Sequence, residues 1–483
     1  MLQHSWLKKV NLNSMNNNRN FLFYGIGSIA FGIKGNAFSW FLFFYYNMVI
    51  GLPAWMASLA LGIATIWDAF SDLLIGYSSD HTKSRLGRRH PYMYAALLPV
   101  PIFFYYLWNP PVFQTDIDLF LYLLIMAILV RTSTTLFEIP NQSLGPEITR
   151  DYHERTRMMS LRYFFGWISG TVMTILMWFI FLQPTEEYPN AQLNPEGYQT
   201  YGIVAALLMV AAMIISSLGL NKIIPELSKP AKNNNFREIK SELKNTLLNR
   251  SFLVLFIGGI FAGMAAGFSS SLNIYFNTFF WGFSTIQIGI VSIIAVIPGI
   301  IAAMIISQRL SVKIGKRRAA IICGIIALVL TPVPYALRVY GYLPGFGSNE
   351  LLAIMSTYYF IEVSTGVAVT ILVSSMVSDI VEDSELTTKK RSEGIFFSAK
   401  GFSSKAVSGV GIFLAGLVTT LAGLPSDAKP GSVDDTILVN IALFFVPIYM
   451  ILYLLSLYFL NLYKIDKETH ERNISTINQR VEQ

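Results

Sequence analysis

Asp68 and Asp72 stand four residues apart in the otherwise apolar run Ile66-Trp67-Asp68-Ala69-Phe70-Ser71-Asp72, with Thr65 one turn before them. In a helix, residues four apart lie one above the other, so both carboxylates share a face. Like charges there repel unless something positive sits between them. A sodium ion or a shared proton would serve, because hard cations take several anionic and neutral oxygens. A structural pair bonded to neighbouring helices is the alternative. A second polar stripe, Arg131, Thr134, Thr135, Glu138 and Gln142, recurs at steps of three and four through an apolar segment. That stripe must look into the protein. Pro140 loosens the backbone pairing just beyond it. Glu138 either completes the carboxylate cluster or accepts a hydrogen bond from a substrate hydroxyl. Arg131 is either part of that site or the counter-ion of Glu138.

Basic groups form a third set. Lys34 sits beside Asn36 in the middle of an apolar run, and Arg162 opens another. Lys405 lies about 18 Å into its segment by helical rise, too deep for easy escape to water, whereas Lys400, about 10 Å in, can reach the interface. Glu362 has no evident partner in the pattern. No glycine loop followed by Lys-Ser or Lys-Thr is present, which argues against direct use of ATP. The five histidines show no metal-ligand spacing, and His81 and His90 are expected in a solvated loop. No residue is assigned a catalytic role.

These groups are carried on membrane-spanning elements. Of 483 residues, 53% are hydrophobic and 13% charged, against about 25% charged in soluble domains. Mean hydropathy is +0.50. A soluble multi-domain enzyme, a disordered chain and a nucleic-acid binder are excluded. The one cysteine, Cys323, rules out an intrachain disulfide. Residues 1–20 hold no apolar run with a cleavage site, so no cleaved leader is expected.

A bilayer-crossing helix needs roughly 20 apolar residues. Such runs fall near 22–50, 52–78, 91–108, 117–143, 158–182 and 200–224, then near 251–279, 286–308, 319–338, 350–381, 394–424 and 436–464. Buried in lipid, each must pair its backbone internally and so be a helix. The expected organisation is an N-terminal segment 1–21, a six-helix half 22–224, a central loop 225–250, a second half 251–464 and a tail 465–483. Loops on one side carry 30 Lys and Arg, and those on the other side carry 2. The positive-inside rule therefore puts both termini and the central loop in the cytoplasm. The halves also echo each other: Arg85-Leu86-Gly87-Arg88-Arg89 follows the second span, and Lys313-Ile314-Gly315-Lys316-Arg317-Arg318 follows the eighth. Gly25, Gly27, Gly32 and Gly35 in the first span match Gly258, Gly259, Gly263 and Gly267 in the seventh, spacings that let helices approach or bend. A repeated six-helix unit is a transporter architecture, with substrate expected between the halves near the midplane.

Gly76-Tyr77-Ser78-Ser79-Asp80 with Arg85-Leu86-Gly87-Arg88-Arg89 resembles the signature loop of the major facilitator superfamily. The resemblance implies that fold, and a conformational gate of Gly76, Asp80, Arg85, Gly87, Arg88 and Arg89. Trp67 to Asp72, Glu138-Ile139-Pro140, Arg162-Tyr163-Phe164-Phe165 and Arg391-Ser392-Glu393-Gly394-Ile395 leading to Lys405 are similar to motifs of the glycoside–pentoside–hexuronide:cation symporters. That similarity implies a cation site of Asp68, Asp72, Thr135 and Glu138, a metal site if the ion is sodium. It implies a sugar-site arginine at Arg162 and the lysine near the cation site at Lys405. The sequence departs from that family's sugar permeases in three places. Glu138 replaces an aspartate, Gln142 stands where a tryptophan stacks on sugar, and Lys34-Gly35-Asn36 holds no acid.

The expected protein is a twelve-helix, all-α cation-coupled symporter of the cell (inner) membrane, importing a glycoside by alternating access. It is expected to use sodium or protons and no cofactor, and to act as a monomer with no nucleic-acid partner. Substrate-binding candidates are Lys34, Asn36, Arg131, Thr134, Glu138, Gln142, Arg162, Lys400 and Lys405. The five basic residues in or beside the spans outnumber Asp68, Asp72 and Glu138, and a basic surplus favours an anionic uronide. The alternatives are a lipid or lysolipid transporter of the same fold, and a sugar sensor that moves nothing.

Overall fold

The computed structural model describes residues 18–149, 152–226, 249–388 and 393–465 together with Thr469 and Arg472, apart from a few side chains, those of 393–400 included. Most of segment 1–21, central loop 225–250 and tail 465–483 lies outside these residues, as do Arg391 and Ser392.

Among the described residues every regular element is helical. Ten helices are long and apolar enough to cross a bilayer. The first and third expected spans are also present, but interrupted. The first is helical over 18–26, breaks at Gly27, resumes as Ser28–Asn36 and then passes through wide π turns at Ala37–Phe41 and Tyr45–Val49. The third is divided into His90–Ala96 and Pro99–Trp108, since Pro99 and Pro101 have no N–H to continue the ladder. With these two the twelve spans are accounted for.

Polar residues placed just outside the apolar runs start the helices. Thr115 accepts from the backbone of Asp118, Asn194 from Glu196, Asn249 from Phe252 and Asp434 from Thr436. Each satisfies an N–H that would otherwise lack a partner. The fourth span, Asp116–Ile148, runs beyond residue 143, where the apolar pattern stops. That extension carries Glu147.

The chain divides into two compact units, residues 1–52, 63–188 and 193–233 in one, and 53–62, 189–192 and 234–483 in the other. Each repeats one packing plan. In the first unit the first span packs on the fifth, and the third on the fourth and sixth; in the second the seventh packs on the eleventh, and the ninth on the tenth and twelfth. The first and seventh spans end alike, in π turns at Tyr45–Val49 and Phe276–Phe280 followed by Gly51 (φ +93°) and Gly282 (φ +68°). Close helix approach explains two of the paired glycines. A Cβ on Gly32 would collide with the Gly166 carbonyl, and one on Gly267 with the Ser408 carbonyl.

Candidate functional site

Three spans of the first unit bring the chemistry-bearing residues together. Asp68 and Asp72 come from Ala54–His81, Arg131, Thr135 and Glu138 from Asp116–Ile148, and Lys34 from Ser28–Asn36. Asp68 is 1% exposed. Its Oδ2 takes Arg131 Nη1 at 2.9 Å and lies 3.9 Å from Lys34 Nζ. Lys34 Nζ also holds Glu138 Oε2 at 3.1 Å. Arg131 Nη2 donates to Thr65 Oγ1 at 2.9 Å, and the guanidinium lies 4.3 Å over the Phe38 ring.

Thr135 Oγ1 stands 3.2 Å from Asp68 Oδ1 and 3.0 Å from Asp72 Oδ1. A hydroxyl has one proton to donate, so it can serve only one of these carboxylates at a time. The other contact sets two acceptor oxygens together, an arrangement relieved by a cation or a proton. The contacts gather three carboxylates and two basic groups, a formal charge of −1. Among the described residues no three His, Cys, Asp or Glu side chains converge as a metal site, because Glu138 is turned to Lys34. Two carboxylates and a hydroxyl suit a monovalent ion better than a transition metal.

Beside this cluster, Phe31, Thr134, Phe137, Glu138, Asn141 and Arg162 line a small cavity of about 10 Å³. Arg162 Nη1 donates to Asn141 Oδ1 at 2.8 Å and its guanidinium sits over the Tyr24 ring at 5.4 Å. Asn141 Nδ2 in turn donates to Ser216 Oγ at 3.2 Å. The sequence reading passed over Asn141, although it lies three residues after Glu138 and so on the same helical face. Thr134 donates back to the carbonyls of its own helix at Val130 and Arg131. Asn36 turns to the fifth span, donating to Thr174 Oγ1 at 2.8 Å. Gln142 is exposed, and its backbone carbonyl accepts from the Tyr24 hydroxyl. Lys405 is partly buried in the second unit. The Lys400 side chain lies outside the described residues.

The signature loop closes into a second charge network. Arg89 pairs with Asp80, and Arg88 reaches the same carboxylate at 3.7 Å. Both arginines meet Glu147 at the end of the fourth span, at 2.6 Å from Arg88 and 3.5 Å from Arg89. Arg89 Nη1 also donates to Ser79 Oγ at 2.8 Å. Gly87 turns the chain at φ +75°, where a side chain would be strained. Gly76 accepts at its carbonyl from Ser79 Oγ. Arg85 is exposed and joins no ion pair of this network. Glu147 was not foreseen, because it lies past the apolar pattern. His90, expected in a solvated loop, is fully buried, with its ring beside that of Tyr94. The second unit repeats the device: Gly315 has φ +83°, and Lys316 Nζ holds Asp379 Oδ1 of the tenth span at 2.6 Å.

Glu147→Gln is expected to cost about 1.5–3 kcal/mol, the usual worth of hydrogen bonds to a charged group, whereas Arg85→Ala should change stability by less than about 0.5 kcal/mol. Unfolding of the purified protein in mixed micelles measures both, and equal effects would remove Glu147 from the network.

Twelve spans in two repeated units, with buried charges facing inward and an Arg-rich loop pinned to the fourth span, define a multi-pass membrane transporter of the major facilitator fold rather than an enzyme. The family described as MFS/sugar transport protein matches residues 23–467, and the chain belongs to it. It is 25% identical to the isoprimeverose transporter of Lactiplantibacillus pentosus, over 92% of this chain and 88% of that protein. It is 23% identical to the sodium-dependent lysophosphatidylcholine symporter 1 of Gallus gallus, over 94% of this chain and 87% of that one. The inward-open xylose transporter XylE from E. coli shares the fold, with a TM-score of 0.60 and 14% identity over 94% of this chain and 98% of that one.

Proposed function

We propose that the protein is a cation-coupled symporter that imports a glycoside by alternating access across the cell (inner) membrane, with both termini cytoplasmic. The orientation rests on the Lys and Arg asymmetry of the loops. The observation that carries the reading is the single hydroxyl of Thr135 set between Asp68 and Asp72. A sodium ion or proton held there by Asp68, Asp72 and Thr135 would bring the cluster to neutrality. Glu138 links the two functions, since it is tied to Lys34 in the cluster and also lines the small cavity with Arg162. Carboxylate, amide and guanidinium together are the groups that recognise sugar hydroxyls. The Asp80, Arg88, Arg89 and Glu147 network would serve as the latch that opens and closes during the cycle.

Lys34 and Arg131 are engaged by Glu138 and Asp68, so the basic surplus read from the sequence does not survive in the first unit: Arg162 balances what is left. An anionic uronide is favoured by Arg162 alone, which among the described residues holds an amide and no carboxylate.

Uptake into right-side-out vesicles tests the reading, using labelled neutral glycosides, a uronide and a lysophospholipid, each with and without a sodium or proton gradient. Gradient-stimulated accumulation of a glycoside is the expected result. Accumulation of the lysophospholipid with no glycoside uptake would transfer the site to that other cargo, and binding without uptake would make the protein a sensor.

A further inference from the structure

The second unit holds a larger cavity that the symport reading does not use. It is a partly open cavity of about 330 Å³ among the seventh, tenth, eleventh and twelfth spans, within the range of about 300–1,000 Å³ typical of ligand pockets. Its floor is the small-residue face of the seventh span, Gly259, Ala262, Gly263 and Ala266, and its walls are chiefly Phe256, Val373 and Leu457. Gly263 is set close to the Ser404 carbonyl by helix packing, but Gly259 is not: a Cβ there would meet nothing within 4 Å. Space rather than close helix contact is what Gly259 provides.

A second observation points to a ligand. Ser403 lines this cavity, is 5% exposed, and its hydroxyl makes no hydrogen bond among the described residues. A buried hydroxyl without a partner is costly, and here it borders a space whose walls are chiefly apolar. The remaining polar lining is uncharged, with Thr370, Ser404, Ser456 and the Tyr453 hydroxyl. Thr370 already gives its proton to the Gly366 carbonyl.

We propose that this cavity is a binding site for one alkyl chain of an uncharged, single-chain amphiphile, whose polar end meets Ser403. The walls fix the chain: CH₂ groups regain dispersion contacts that walls separated by such a gap lose with one another. The lining fixes the head. No charged side chain lines the cavity among the described residues, so a phosphate or carboxylate would be buried without a counter-charge. The surrounding bilayer concentrates such molecules, and two-chain phospholipids are excluded by size and charge.

The test uses the full-length protein in phosphatidylcholine nanodiscs with a dodecanol probe carrying a photoreactive diazirine, followed by peptide mass spectrometry. Labelling is expected to concentrate on the segments around Phe256 to Gly263 and Tyr453 to Leu457, and to be competed by unlabelled dodecanol. Gly259→Leu fills open space and replaces glycine with a better helix former; it should cut labelling at these segments at least tenfold with no loss of thermal stability. Ser403→Ala leaves the space intact and should weaken labelling several-fold, a readout that survives if Gly259→Leu fails to fold. Labelling spread evenly over lipid-facing surfaces, unchanged in both variants, would overturn the proposal. Equal labelling by a diazirine phosphatidylcholine would also overturn it, since the occupant would then be bulk lipid.

Discussion

Asp72→Asn is expected to abolish the stimulation of uptake by a cation gradient, by up to about a hundredfold, while leaving the protein folded and capable of downhill exchange. The substitution keeps the shape, and an amide oxygen still accepts from Thr135 at the position now 3.0 Å away. What changes is charge. The cluster of three carboxylates and two basic groups goes from −1 to neutral, the state a bound monovalent cation would create. The variant should therefore behave as if permanently loaded, with substrate affinity high and no longer responsive to the ion. Coupling between two ligands is typically about 1–3 kcal/mol, or 5- to 150-fold, which sets the size of the expected loss. The coupling is reciprocal, so substrate should raise cation affinity by the same factor in the wild type and not in the variant. Stability should be unchanged or better, because a charge has been removed from an intramembrane helix. The measurement is counterflow and gradient-driven uptake of the same labelled substrate in vesicles. Persistence of full gradient stimulation in Asp72→Asn would make the Asp68 and Asp72 pair structural.

The parts of the fold that are periodic were legible. Twelve spans, two halves and the repeated basic loop are consequences of apolar run length and loop charge, which sequence displays directly. The glycine loops also read through: Gly87 and Gly315 occupy matching positions and both take positive φ. The breaks did not show. Nothing in the apolar run of the first span marks the π turns at Ala37–Phe41 and Tyr45–Val49, because a widened turn is set by packing of neighbouring helices rather than by local propensity. In the third span apolar run length made one helix of what Pro99 and Pro101 divide.

The site divides the same way. Spacing placed Asp68, Asp72, Thr135 and Glu138 on inward faces, since three- and four-residue steps translate directly into a helical stripe. Spacing cannot assign partners across helices. Lys34 was read as a substrate group and Arg131 as either a substrate group or the counter-ion of Glu138; the structure pairs Lys34 with Glu138, and Arg131 with Asp68 instead. A basic residue buried near an acid pairs with it, so a charge tally by residue count overstates what is left for a ligand. Glu147 and His90 were missed for a related reason. Both lie at helix ends outside the apolar pattern, where burial depends on which loop folds over them.

The largest stability effect is expected at Asp68. Its carboxylate accepts from Arg131 at 2.9 Å, lies 3.2 Å from Thr135 Oγ1 and faces Lys34 at 3.9 Å, in a side chain 2% exposed. Asp68→Asn removes the only charge compensating Arg131 in these contacts, leaving a guanidinium against Thr65 and the Phe38 ring. Breaking a buried pair by removing one partner costs about 3–5 kcal/mol, enough to lower the folded yield in the membrane as well as transport. Loss of transport in this variant therefore says little about cation binding, which is why Asp72 is the better functional probe. Arg131→Met removes the partner instead and should also destabilise, by leaving the carboxylate. The double variant Asp68→Asn with Arg131→Met has neither orphan and fills the space with an apolar chain. It should be more stable than the sum of the single losses predicts, with a coupling of about 1–3 kcal/mol. Denaturation in mixed micelles across the four proteins gives that coupling. Additive losses would mean that Arg131 does not compensate Asp68 in the folded protein, and the formal charge of the cluster, on which the cation site rests, would have to be recounted without it.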